Sequence, residues 1–192
     1  MNYQVLISGV VVLLFIACAV TRTALLRRRG VRAMVFGETD KSDYLLVIGF
    51  IALIYSAVAR PLGLPMWGML LKPFWKVSVP GWIGVCLCIL ALIGLIITLI
   101  SFGDSFRVGI DEKTPSKLIT GGVFAISRNP IYSCFFLMLA GQFLVHRNIV
   151  ITAAAIFFMA MIHRQILREE KFLKKHYGEE YAAYCEKVRR YI

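Results

Sequence analysis

A chain of 192 residues, 59% hydrophobic and only 17% charged, is too apolar to close around one water-soluble core, so the composition describes an integral membrane protein. The net charge of +11 would suit nucleic acid, but the Lys and Arg residues fall between apolar runs and form no basic face with interleaved aromatics. No nucleic-acid partner is expected; membrane lipid is, and the basic residues read as anchors at the cytoplasmic surface.

In chain order, Val5 to Leu26 is an apolar run long enough to cross a hydrocarbon core of about 30 Å, and Arg22, Arg27, Arg28, Arg29 and Arg32 lie at or beyond its end. Met1 to Gln4 lack Lys and Arg, and no convincing small-residue cleavage site follows, so the segment reads as a retained helix. Glu38, Asp40 and Asp43 have no His or Cys neighbour and read as a solvated loop, with Ser42 or Asp43 as an N-cap. A second span is expected from about Tyr44 to Ala59. Pro61, Gly63, Pro65, Gly68, Pro73 and Pro80 then mark irregular or interfacial chain, where Trp67, Trp75 and Trp82 suit an aromatic belt.

The third span, Gly81 to Ser101, contains no charged residue, and Gly81, Gly84 and Gly94 permit close helix packing. Asp104 to Thr120 is polar, with Pro115 as a breaker. Ile131 to Val145 and Ile149 to Ile162 are two further apolar runs, each short for a span. Either they extend as full helices into the flanking polar residues, the preferred reading, or they form a hairpin that stops short of the far surface. From Gln165 to Val188 the pattern becomes amphipathic, Gly178 divides it into two helices, and the tail can lie on the lipid surface. The five cysteines, four of them in apolar runs, read as small packing residues, and no metal centre is expected.

With the N-terminus outside, 18 of the 22 Lys and Arg residues fall inside and 4 outside, which selects five spans, N-out and C-in. The expected fold is therefore all-α: three N-terminal spans over 1–102, then a loop, a membrane hairpin and C-terminal helices over 103–192, one integrated membrane domain. This arrangement puts two polar sets on the cytoplasmic side. The first is Gly121 to Tyr132, ending Arg128-Asn129-Pro130-Ile131-Tyr132. The second is His163, Arg164, Gln165, Arg168, Glu169 and Glu170, followed by Tyr177-Gly178-Glu179-Glu180-Tyr181. If the hairpin between them is antiparallel, they enclose one pocket.

Arg128-Asn129-Pro130-x-Tyr132, then Glu169-Glu170, then Tyr177-Gly178-Glu179-Glu180-Tyr181-x-x-Tyr184 resembles the C-terminal signature of the isoprenylcysteine carboxyl methyltransferase family, shared with membrane methyltransferases that act on phospholipid amines. The likeness covers about Lys113 to Arg190. It implies a cytoplasmic S-adenosyl-L-methionine site lined by Ser116, Lys117, Leu118, Ile119, Gly122, Val123 and Phe124. Asn129, Pro130 and Tyr132 would close that site, with His163 and Glu170 beside it, and Glu169 would take a polar group of the cofactor. Arg128, with Arg164 and Arg168, would stand nearest the acceptor carboxylate. The family often carries His where this chain has Asn129, and a substrate-facing Arg aligns with Gln165.

The residue chemistry agrees with what the resemblance implies. A sulfonium cation is matched by carboxylates and by the faces of Tyr132, Tyr177 or Phe124. A carboxylate acceptor is already ionised at neutral pH, so positioning dominates, and Arg128 can hold it by a bidentate pair. An amine acceptor needs a base, for which Glu169, Glu170 or His163 is available. The expected acceptor is lipophilic or prenylated and enters from the bilayer. The alternatives are a phospholipid amine N-methyltransferase and a non-enzymatic membrane scaffold. Transport is disfavoured because the second and third spans hold no ionisable residue in their interiors.

Overall fold

The computed structural model describes residues 3–31, 44–59, 62–64, 73–74, 78–106 and 118–191. Within them the chain is helical, with no strand: α1 (Tyr3–Arg28), α2 (Tyr44–Ala59), α3 (Val79–Phe102), α4 (Pro130–His146), α5 (Ile149–Tyr177) and α6 (Glu179–Lys187). The expected cap at Ser42 or Asp43, Trp67, Trp75 and the loop residues Ser116 and Lys117 lie outside the described residues. The helices α1, α3 and α5, of 26, 24 and 29 residues, are long and apolar enough to cross a membrane. All five expected spans are present as helices.

Local chemistry sets the helix ends. The α1 helix closes with Gly30 at φ 76°: its amide donates to the Arg27 carbonyl at 3.1 Å, and the Val31 amide reaches back to Leu26 at 3.0 Å. This is the Schellman arrangement, which satisfies two terminal carbonyls and packs Val31 against the core that holds Leu26. Pro130 opens α4 at the position where its missing N–H costs nothing. At the far end of α4, Arg147 takes a left-handed conformation (φ 55°), and Asn148 accepts from the Ile151 amide at 3.0 Å to cap α5. Gly178 at φ 55° separates α5 from α6, as its place in the sequence predicts.

Pairwise contacts fix the directions. Gln4 Nε2 donates to the Ser78 carbonyl at 2.8 Å, while at the other end Arg22 donates to the Gly103 carbonyl, so α1 and α3 run parallel. In the opposite sense, α4 lies on α3 with Gly141 against Gly84 and Cys134 against Gly94. Antiparallel again, α5 packs on α4 through Phe135 and Phe158, whose ring centroids are 6.3 Å apart, and Phe158 also meets Gly49 of α2. The C-terminal ends of α1 and α3, the N-terminus of α4 and the later half of α5 therefore gather at one end of the bundle. That end carries the polar sets.

Two features sharpen the expectations for the last hairpin. At 17 residues, α4 is about 25 Å long, shorter than a typical hydrocarbon core. The α5 helix instead runs unbroken from the apolar run into the amphipathic one. The turn between them is not an exposed loop: His146, Arg147 and Asn148 are all buried, and the Arg147 carbonyl accepts from the Phe74 amide at 2.7 Å.

Gly84 and Gly94 of α3 bring α4 close, while Gly81 lies against Gln4 of α1. A Cβ on Gly141 would stand 2.6 Å from Cys88 Sγ and 2.7 Å from the Gly84 carbonyl oxygen, whereas one on Gly121 would meet nothing within 4 Å. Gly141→Val should force α3 and α4 apart at a cost of about 1–3 kcal/mol. Thermal unfolding in detergent should show it as a clear fall in Tm, with Gly121→Ala, the control, left near wild type.

Candidate functional site

The loop leading into α4 makes a 3-10 turn at Gly122–Ala125, in which Gly122 takes φ 62° and lies against Ser101 of α3. This turn points Phe124 inward, where its ring meets Phe102 edge-on at 4.6 Å. Leu118, Ile119, Val123 and Phe124 pack with Tyr181, Tyr184 and Val188 in one apolar cluster. The stripe of α6 is thus turned onto the loop. The Tyr184 hydroxyl donates to the Phe124 carbonyl at 2.6 Å and locks the two together. Burial pushes the Tyr184 phenol up to about 12, and it raises Tyr181 as well, helped by the negative charge of Glu170. The Tyr181 hydroxyl is buried without a well-formed hydrogen bond among the described residues.

Beside this cluster, adjacent carboxylates on α5 face α4 in two ways. Glu169 Oε1 accepts from the Tyr132 hydroxyl at 2.7 Å and from Gln165 Nε2 at 3.0 Å, and Gln165 Oε1 in turn accepts from Arg168 Nη1 at 3.1 Å. Glu170 accepts from Asn129 Nδ2 at 3.2 Å and pairs with Arg128 Nη2 at 3.3 Å. It also takes a two-pronged grip from Arg190, with Nε at 3.0 Å and Nη2 at 2.8 Å from Oε2.

Arg190 belongs to a strap, Val188 to Tyr191, that leaves α6 and returns to the start of α4. The Arg128 amide donates to the Arg189 carbonyl at 3.0 Å, and Asn129 Nδ2 and Ser127 Oγ donate to the Arg190 carbonyl at 3.2 and 3.4 Å. At its end, the Tyr191 hydroxyl and His163 Nδ1 lie 2.5 Å apart, and the Tyr191 ring packs edge-on against Phe136.

Most of the residues singled out in the sequence therefore meet. Arg128 and Asn129 meet Glu170, and Tyr132 meets the adjacent Glu169, while Leu118, Ile119, Val123 and Phe124 pack in the apolar cluster of Tyr181 and Tyr184. Arg168 joins through Gln165, Arg164 is exposed on α5, and His163 meets the strap instead of the carboxylates. Sequence reasoning missed the anchoring role of Gln165, Tyr184, Arg190 and Tyr191. The last two carried only the signal of a basic tail.

Apolar helices around a carboxylate-rich set at one end make this an integral membrane protein whose polar site stands at the boundary of the bundle. The family model described as phospholipid methyltransferase matches residues 79–180, and the chain belongs to that family of methyltransferases. Among curated relatives, the probable protein-S-isoprenylcysteine O-methyltransferases of Oryza sativa subsp. indica and subsp. japonica are each 31% identical over 121 residues, 62% of this chain and 62% of theirs. Protein-S-isoprenylcysteine O-methyltransferase B of Arabidopsis thaliana is 31% identical over 121 residues, 62% of this chain and 60% of its own. The match thus spans about three fifths of each relative's length.

Two outcomes follow from this geometry. Glu170→Ala should release the strap and strand Arg128, at a cost of roughly 2 kcal/mol, below the value for a fully buried pair because the Arg190 side chain is 36% exposed. Limited proteolysis should then cut at the C-terminal end before the bundle melts. The neutral Tyr184 phenol contributes stability that is fully present below its ordinary value near 10 and is lost as pH rises through about 12. Tyrosinate absorbance should show this late step, and Tyr184→Phe should remove it at a stability cost of about 1 kcal/mol.

Proposed function

We propose that the protein transfers a methyl group from S-adenosyl-L-methionine to the carboxylate of a lipophilic, prenylcysteine-like acceptor, on the cytoplasmic side of the membrane. The observation that carries this reading is the Tyr132–Glu169 bond across α4 and α5. It joins, with Asn129 and Glu170, residues about forty positions apart into one polar set beside an apolar wall.

The chemistry of that set fits the cofactor. When bound, S-adenosyl-L-methionine supplies an electrophilic methyl group on a sulfonium sulfur that leaves as a neutral thioether. Glu169, oriented by Tyr132 and Gln165, offers a carboxylate to a polar or cationic group, and Leu118, Ile119, Val123 and Phe124 offer an apolar face. Arg128 spends one Nη on Glu170 and keeps its Nε buried without a hydrogen-bond partner among the described residues. That donor is suited to an anionic oxygen of the acceptor, in a planar geometry Lys would not reproduce. An acceptor carboxylate is ionised at neutral pH, so these residues need only bind and orient it. The 18-to-4 asymmetry of Lys and Arg supports the cytoplasmic assignment.

The phospholipid methyltransferase description of the family favours a second reading, N-methylation of a phospholipid amine. A proton must then leave the nitrogen, and Glu169 is the nearest candidate to take it.

Calorimetric titration of S-adenosylhomocysteine into the detergent-solubilised protein tests the shared part of both readings. Saturable binding is expected, weakened about tenfold or more in Glu169→Gln, which loses a charged acceptor. A folded wild type that binds none would leave the scaffold reading in front. Labelled methyl transfer to S-farnesylcysteine or to phosphatidylethanolamine then separates the two acceptors.

A further inference from the structure

The strap from Val188 to Tyr191 lies beyond the residues matched by the family model, yet Val188, Arg189 and Arg190 are all fastened to the site. Its last described residue does something the fastening does not require. Tyr191 reaches past Arg190 to the seam between α4 and α5, where it packs on Phe136 and meets His163.

The depth of that contact follows from helix geometry. Phe136 is one turn further along α4 than Tyr132, about 6 Å deeper into the bundle, and His163 precedes Glu169 on α5 by about 9 Å. Tyr191 therefore stands on the bilayer side of the Tyr132–Glu169 pair. His163 also continues the outward-facing stripe of α5: Ile156, Met159, His163 and Leu167 are all exposed and recur at helical spacing. A lipid chain lying along that stripe would meet the Tyr191–His163 pair before it met Glu169.

Resting on the methyltransferase reading above, we propose that Tyr191 is an acceptor-selecting residue, its ring forming with Phe136 the wall that the lipophilic chain of the acceptor contacts as its head group enters the site from the α4–α5 seam. An aromatic wall tipped by a hydroxyl suits this place, since the ring packs on Phe136 and can meet hydrocarbon while the hydroxyl is satisfied by His163. The strap supplies the rigidity. Arg190 on Glu170 and the Arg189 carbonyl on the Arg128 amide hold the Tyr191 backbone, so the ring needs little ordering when the acceptor binds.

The test separates acceptor from cofactor. S-farnesylcysteine is titrated into the protein saturated with S-adenosylhomocysteine, for wild type, Tyr191→Ala and Tyr191→Phe, with S-adenosylhomocysteine affinity and Tm measured on each. Tyr191→Ala should weaken S-farnesylcysteine about tenfold and leave S-adenosylhomocysteine affinity unchanged, with only a modest fall in Tm, while Tyr191→Phe, which keeps the ring, should stay within about threefold of wild type. Unchanged acceptor affinity in Tyr191→Ala overturns the inference alone. So does a parallel loss of S-adenosylhomocysteine affinity, which would make the strap a structural fastening only, or an equal loss in the Phe variant. Wild type that binds S-adenosylhomocysteine but not S-farnesylcysteine refutes the acceptor wall while sparing the cofactor site. Absence of S-adenosylhomocysteine binding in wild type removes the underlying reading and this inference with it.

Discussion

The carboxylate of Glu170 is the interaction on which the polar end of the molecule depends. It accepts from Asn129 at the start of α4 and pairs with Arg128 just before it. From the strap it receives the fork of Arg190. Three pieces of chain far apart in sequence are joined at one residue. A carboxylate this shielded, with 12% of its side chain exposed, is stable only because donors surround it. The converse also holds: Arg128 and Asn129 would be costly at this depth without that acceptor. The polar set is therefore assembled as a unit, and no one of its members explains the others.

Glu169 and Glu170 are neighbours in sequence but do different work because a helix turns about 100° per residue. Glu170 faces the loop and the strap, and its oxygens are taken up by the residues that build the site. Glu169 lies on the same face as Gln165, one turn earlier, and looks toward Tyr132 on α4. Burial and hydrogen bonding thus make one carboxylate a fastening. The other is oriented at the α4–α5 seam by Tyr132 and Gln165.

The sequence made the spans legible because a helix in lipid must be apolar over its length and must satisfy its own backbone, so Tyr44 to Ala59 and the glycine-bearing third span stood out without ambiguity. Gly178 was equally legible, since a glycine between two amphipathic stretches marks a break. The unbroken length of α5 was less so: its pattern changes from apolar to amphipathic near His163, and only the absence of a helix breaker there carries the continuity. The buried turn at His146, Arg147 and Asn148 could not be read at all. Three polar residues between apolar runs describe an exposed loop unless the segment that covers them is known. The strap was illegible for a related reason. Arg189, Arg190 and Tyr191 have the composition of a solvated tail, and what places them is the return of α6 onto Phe124, a long-range contact with no local signature.

The short α4 ties these observations to the proposed chemistry. A helix of about 25 Å cannot carry both its ends through a hydrocarbon layer of about 30 Å, so polar backbone must lie at depth at one end or the other. Such backbone is tolerated only where protein satisfies it. Both ends of α4 meet that condition by different means. At the far end the Arg147 carbonyl accepts from Phe74 and Asn148 caps α5; at the near end Ser127 Oγ accepts from the Asn129 amide while Arg128 and Asn129 bond the strap. The near end of α4, which carries Tyr132 opposite Glu169, can therefore lie at the bilayer boundary without leaving its backbone unsatisfied. On the proposed reading this is what a lipophilic acceptor requires: its chain remains in hydrocarbon while its head group meets the polar set. The hydrophobic cost of lifting that chain into water, about 0.8 kcal/mol for each methylene group, never enters the reaction.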